Sequence, residues 1–176
     1  RDFEPEYISS ADGKAYATLQ ENNAIAVIDI ESATVEKVLP AHIADHSQVP
    51  LDPSNKDDTA ELRTIPVKGL SMPDSIGAFE AAGQTYFATA NEGDARDWGG
   101  YTDEVELKDL VEDGKVCTDL ELPEGIEDKK FAGNLKLSNA SGWNEEKGCF
   151  DGLYSYGSRS FSIYDGEGNV VFDSGS

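Results

Sequence analysis

The chain has 176 residues, 38% of them hydrophobic, and carries 35 acidic against 14 basic side chains for a formal net charge of −21. That length bounds it to about one domain with a real core, and the composition excludes a disordered chain. The charge excludes nucleic-acid binding, which needs a basic face to displace counter-ions from phosphates, and no apolar run approaches the roughly 20 residues that cross a bilayer.

The opening residues, Arg1 to Pro5, carry neither the basic nor the apolar region of a signal peptide, so the chain is expected to be a segment of a larger protein. Asp12-Gly13 is a tight-turn dipeptide. It is followed by an expected strand from Ala15 to Leu19, a polar turn at Gln20-Glu21-Asn22-Asn23, and strands from Ala24 to Ile30 and Thr34 to Leu39. These runs are rich in Val, Ile, Thr and Tyr and show no helical period, which describes an antiparallel meander. A similar unit starts near Asp74, with strands from Ser75 to Ala81 and Thr85 to Ala90, a turn at Gly83-Gln84, and an acidic turn at Asn91-Glu92-Gly93-Asp94. A third comprises Gly152 to Tyr156, Phe161 to Tyr164 and Val170 to Asp173, with the turn Asp165 to Asn169 before its last strand.

Repeated short sheets of this kind predict an all-β fold, a partial β-propeller of about three blade-like antiparallel meanders. A sandwich of flat sheets is the structural alternative. Residues 1–176 then form a single partial propeller domain with two long insertions, at about 41–67 and 99–150. Closed rings usually need 4 to 8 blades, so the expected partners are the remaining blades or another chain that completes the ring. Within the second insertion, Val105, Leu107, Leu110 and Val111 have the spacing of one or two helical turns.

Cys117 and Cys149 are not spaced as a metal knuckle or a CxxC redox site. A disulfide across that polar stretch would stabilise by roughly 3 to 4 kcal/mol and would imply an oxidising compartment. Two buried free thiols are the alternative. Asn139-Ala140-Ser141 is an N-glycosylation sequon in the same stretch, consistent with secretion.

Segments 16–29 (YATLQENNAIAVID), 66–70 (PVKGL), 72–74 (MPD), 89–97 (TANEGDARD) and 156–165 (YGSRSFSIYD) together resemble the choice-of-anchor I group. That group includes mesenchyme-specific cell-surface glycoproteins associated with biomineral deposition. The resemblance spans almost the whole chain. It implies a seven-bladed propeller at the cell surface or in extracellular matrix, with matrix or surface proteins as partners and a link to calcium. Some bacterial members carry an alkaline phosphatase label, which makes a calcium-dependent phosphoesterase the alternative to a structural and binding role.

Excess carboxylates serve solubility or hold a hard cation, and calcium takes 6 to 8 oxygen ligands. The run Asn91 to Asp97 offers the carboxylates of Glu92, Asp94 and Asp97 and the amide oxygen of Asn91 at a strand end. Glu21 and Asn22 occupy the equivalent turn of the preceding unit, so Glu21, Asn22, Asn91, Glu92, Asp94 and Asp97 are the expected calcium ligands, or else ordinary turn residues. Arg96 is placed to neutralise the cluster or clamp a phosphate. Asp165 to Asn169 reads as a plain hairpin turn, and His42 and His46 as a surface pair, because Pro40, Pro50 and Pro53 prevent a helix there. Ser158-Arg159-Ser160 lacks the pattern of a nucleophile elbow, and no catalytic residue is assigned.

Overall fold

In a computed structural model describing residues 3–175, the chain forms two compact units. Unit 1 comprises residues 1–43, 70–94 and 157–176, and unit 2 comprises 44–69 and 95–156. In chain order the elements are β1 (Pro5–Ala11), β2 (Lys14–Leu19), a 3-10 turn (Gln20–Asn22), β3 (Ala24–Asp29), β4 (Thr34–Pro40), β5 (Ile43–Asp45), β6 (Lys68–Leu70), β7 (Pro73–Ala81) and β8 (Gln84–Asn91). There follow β9 (Glu104–Glu106), α1 (Leu107–Glu112), β10 (Lys136–Ser138), β11 (Trp143–Asn144), β12 (Cys149–Phe150), β13 (Tyr154–Tyr156), β14 (Ser160–Asp165) and β15 (Val170–Asp173). The fold is all-β, and no helix among the described residues is long and apolar enough to cross a membrane.

Unit 1 holds two four-stranded antiparallel sheets, ordered β1-β2-β3-β4 and β7-β8-β14-β15. Period-two alternation builds the interface between them. Tyr16, Ile25 and Val27 project from one side of the first sheet onto Phe87 and Tyr164 of the second, and all five are almost fully buried. The rings stack in series, with centroids 4.9 Å apart for Tyr16 and Phe87 and 5.0 Å for Phe87 and Tyr164. On the other side of the first sheet Ala17, Leu19, Ala24 and Ala26 form a smaller cluster. A shallow apolar groove runs there between Phe3, Ala17, Ile28, Val35 and Val38. The far side of the second sheet likewise leaves Phe79, Phe161 and Phe172 exposed.

The expected turn at Asp12-Gly13 forms with both residues left-handed, the arrangement of a two-residue hairpin turn. The second hairpin turns at Ala82-Gly83, one residue earlier than the dipeptide Gly83-Gln84 suggests, because Gln84 already pairs with Ala81. The third expected meander does not form a sheet of its own. β14 pairs with β8 from Ser160↔Asn91 to Asp165↔Tyr86, so the second and third units merge into one sheet. β13 goes elsewhere, pairing Ser155 with Leu137 of β10. The absorbed strands complete the hydrogen bonding of β8, which would otherwise be an edge.

Unit 2 contains the sheet β5-β6-β13-β10-β9, the ribbon β11-β12 and α1 around a core of Ile65, Val67, Leu107, Leu110, Ile126, Leu137 and Leu153. The helical spacing expected within 103–112 is realised as α1, which buries Leu107 and Leu110. Cys117 and Cys149 are joined in a disulfide, with Cα atoms 5.1 Å apart. Cys117 N–H donates to the Phe150 carbonyl, so the bridge ties the loop after α1 to β12.

Candidate functional site

β2 and β8 belong to the two sheets of unit 1, and the turns that follow them carry the acidic residues singled out from the sequence. Asn23, left-handed at φ 48°, closes the 3-10 turn. Its Oδ1 accepts from Met72 N–H at 2.7 Å, and Met72 in turn accepts from Gly93 N–H at 3.2 Å. The turn holding Glu21 and Asn22 is thereby tied to the strand entering β7 and to the segment leaving β8. Gly157 packs against the same segment: a Cβ there would lie 1.9 Å from the Glu92 carbonyl oxygen.

Glu21 is a half-buried carboxyl at this turn. Burial pushes its pKa up, and the like charges of Glu4, Glu6 and Asp94 push in the same direction against a backbone hydrogen bond. Its Oε2 is buried with no hydrogen-bond partner. Glu92 and Asp94 are exposed. Among the described residues, no three His, Cys, Asp or Glu side chains come together closely enough to hold a metal ion.

Asn91 has a different place. Its Nδ2 donates to Ser160 Oγ at 2.9 Å and Ser162 Oγ at 2.7 Å, and its Oδ1 accepts from Thr89 Oγ1 at 2.9 Å. Ser160 and Ser162 both donate to Asp173 Oδ2, at 3.1 and 2.6 Å, and Ser158 and Ser71 extend the chain of hydroxyls. Asn91, 3% exposed, is thus the node of a buried network across β8, β14 and β15. No local pattern marks that network, because the Ser160 and Ser162 hydroxyls lie about 70 residues from Asn91 in the chain.

The remainder of the expected ligand run belongs to unit 2. Asp97 bridges to Thr102 and its Oδ1 accepts from Gly99 N–H at 3.4 Å. Arg96 donates to Asp103, from its backbone at 2.8 Å and from its guanidinium at 3.1 Å. Asp103 is 2% exposed and also accepts from the Tyr156 hydroxyl, through both its carboxylate and its backbone carbonyl. Burial raises the Tyr156 pKa, as does the neighbouring Asp103 charge, while a hydrogen bond to Ser138 opposes them. Asp103 and Tyr156 are the organising pair of this turn, and no spacing signal in the sequence marks them.

His46 corrects the expectation of a surface pair of histidines. It is 1% exposed, its Nδ1 donates to the Val49 carbonyl at 2.9 Å, and its backbone is pinned between Ile65 and Val67. Prolines prevent a helix at this point, but backbone pairing with the segment at Ile65 and Val67 holds the loop so that the ring is buried. Asp165 to Asn169 forms the expected hairpin turn. The Asn169 side-chain amide donates to Asp165 Oδ2 and the backbone N–H groups of Glu167 and Asn169 donate to Oδ1, all at 2.9 Å, and these bonds hold its carboxyl below the usual range. Asn139 is exposed just beyond β10.

No curated protein and no solved structure matches the chain significantly. The disulfide fits an extracellular protein. The family model of the choice-of-anchor I domain matches residues 1–176, the whole chain, and the protein belongs to the choice-of-anchor I domain family.

Proposed function

We propose that this chain is a structural and binding module of the cell surface or extracellular space, in which unit 1 supplies two blades of a β-propeller. The observation that carries the reading is the pair of four-stranded antiparallel sheets packed face to face, with β1 lying against β7. Each sheet also presents an apolar outer side that a neighbouring blade would cover. The disulfide and the exposed Asn139 sequon support the extracellular part, with Asn139 as the glycan acceptor. Matrix or surface proteins are the partners this reading implies.

Calcium enters through charge. The dispersed carboxylates around Glu21 make a field in which calcium is held loosely as a counter-ion rather than in a six- to eight-oxygen cage. The whole reading is tested by treating intact cells that carry the native protein with a membrane-impermeant amine reagent. Labelling of its lysines supports surface exposure, and protection until lysis overturns it. Thermal unfolding with and without millimolar calcium tests the ion separately. A midpoint that rises in the wild type and not in Glu21→Gln supports calcium at this turn.

A further inference from the structure

At the opposite end of unit 1, where β2 and β8 begin, a cavity of about 330 Å³ lies between three hairpins. Asp12 and Lys14 line it from the β1–β2 turn, Gln84 and Thr85 from the start of β8, and Asp165 to Glu167 from the β14–β15 turn. Its floor is Tyr16. That residue is 2% exposed, and no hydrogen bond reaches its hydroxyl among the described residues. The residue is buried while its hydroxyl borders the cavity, so a ligand there can reach it. Burial also holds the hydroxyl protonated, so it stays available as a donor. Gly166 keeps the hydroxyl open: even a Cβ at that position would stand 3.8 Å from Tyr16 Oη and 3.4 Å from the Thr85 carbonyl oxygen.

The charges around the cavity are largely spent. Lys14 pairs with Glu36 at 2.6 Å, and Glu167 with Lys37 at 2.7 Å. Asp165 is occupied by its own turn. What remains along the wall is a mostly neutral set of hydrogen-bonding residues, Tyr16, Thr85 and Gln84, with the carboxylate of Asp12. Gln84 Oε1 is already taken, accepting from the Tyr86 hydroxyl at 2.8 Å. A strong anion would meet the carboxylates, and a metal ion would find no three ligands together. A ligand whose hydroxyls both donate and accept matches the wall, and the volume falls at the small end of ligand pockets. We propose that this cavity binds a hexose-sized saccharide unit, with the Tyr16 hydroxyl, Thr85 and Asp12 as its hydrogen-bonding contacts. The site is contained within unit 1 and does not depend on whether further blades close a ring.

The test is saturation-transfer difference NMR with D-glucose, D-galactose, D-mannose and N-acetyl-D-glucosamine as probes, run on the wild type, Tyr16→Phe and Gly166→Leu. Tyr16→Phe keeps the ring against Phe87 and removes only the hydroxyl. Transfer to at least one sugar is expected in the wild type, weakened about fivefold in Tyr16→Phe and abolished in Gly166→Leu. Both variants should keep the wild-type thermal midpoint. Absence of transfer to all four sugars overturns the proposal, as does equal transfer in the wild type and both variants. Protection of the cavity by calcium or orthophosphate alone overturns the ligand class.

Discussion

Thr18 and Asp74 join the two sheets of unit 1 through one hydroxyl, which donates from Thr18 Oγ1 to the Asp74 carbonyl at 2.9 Å. The same oxygen accepts from Tyr7 N–H at 3.0 Å. Both backbone partners sit where strand pairing is interrupted, Tyr7 between Pro5 and Ile8 in β1 and Asp74 between Pro73 and Ser75 in β7. Bulges leave backbone groups out of the ladder, and a fully buried threonine recovers one from each strand. Thr18→Val, nearly isosteric, should therefore cost about 1 to 2 kcal/mol, because it takes away the partner of the Tyr7 N–H and of the Asp74 carbonyl. Thr18→Ser should recover most of that. Equal urea midpoints for Val and wild type would show that the hydroxyl contributes nothing to holding the sheets together.

Gly157 has φ 73°, and its missing Cβ is what lets the backbone pass the Glu92 carbonyl. Gly157→Ala should be destabilising by more than about 1 kcal/mol, from left-handed strain together with a collision that only backbone movement relieves. Gly13 also has positive φ, at 72°, but nothing lies within 4 Å of its would-be Cβ. Gly13→Ala should thus lose only the conformational part. Comparing the two thermal midpoints separates steric closure of the turn cluster from glycine entropy.

Much of unit 1 was legible because its strands obey period two and its turns use Gly and Asp where φ is positive. β2, β3, β4, β7 and β8 stand close to where hydrophobic patterning put them. β1 was not legible: Tyr7 and Ile8 are both exposed, so the segment shows no buried alternation to read. Nor does patterning reveal partners, which is why β14 reads as the second strand of a third meander when it hydrogen-bonds to β8. At the acidic turns, residue type alone does not separate a metal ligand from a node of a buried network. Asn91 and Glu92 are neighbours, yet one amide is spent on Ser160 and Ser162 while the other side chain is exposed. Asp103 was overlooked for a related reason, since one buried aspartate among 35 acidic residues carries no mark of its burial.

The disulfide should matter most to unit 2, whose loops between α1 and β12 contain few long strands. Closing a separation of 32 residues restricts the unfolded chain by roughly 3 to 4 kcal/mol on the chain-entropy account. Reduction with dithiothreitol, or the double change Cys117→Ser and Cys149→Ser, should lower the unfolding midpoint. Amide exchange should rise first around Val116 and Phe150, which bridge each other beside the bond. Unchanged exchange there after reduction would mean that the core of Leu107, Leu110 and Phe150 holds the loop by itself.

Glu21 supplies the pH dependence of the acidic turn. Its native pKa lies above the ordinary carboxyl value of 4.5, through burial first and then the charges of Glu4, Glu6 and Asp94. The folded state therefore holds the proton more tightly than the unfolded chain does. The sign follows from linkage: the ionised carboxylate costs stability at neutral pH, and that cost disappears as pH falls through the native pKa towards the unfolded one. Glu21→Gln should raise the thermal midpoint at pH 7, and the gain should vanish below the ordinary carboxyl value, where the wild type is protonated in both states. The Asp94→Asn change should act in the same direction but less, since it removes one of the neighbouring charges and leaves the burial of Glu21 untouched. If Glu21→Gln lowers the midpoint at pH 7, the carboxylate must instead be stabilised by a partner such as a cation, and the loosely held calcium would be the first to remove with EDTA.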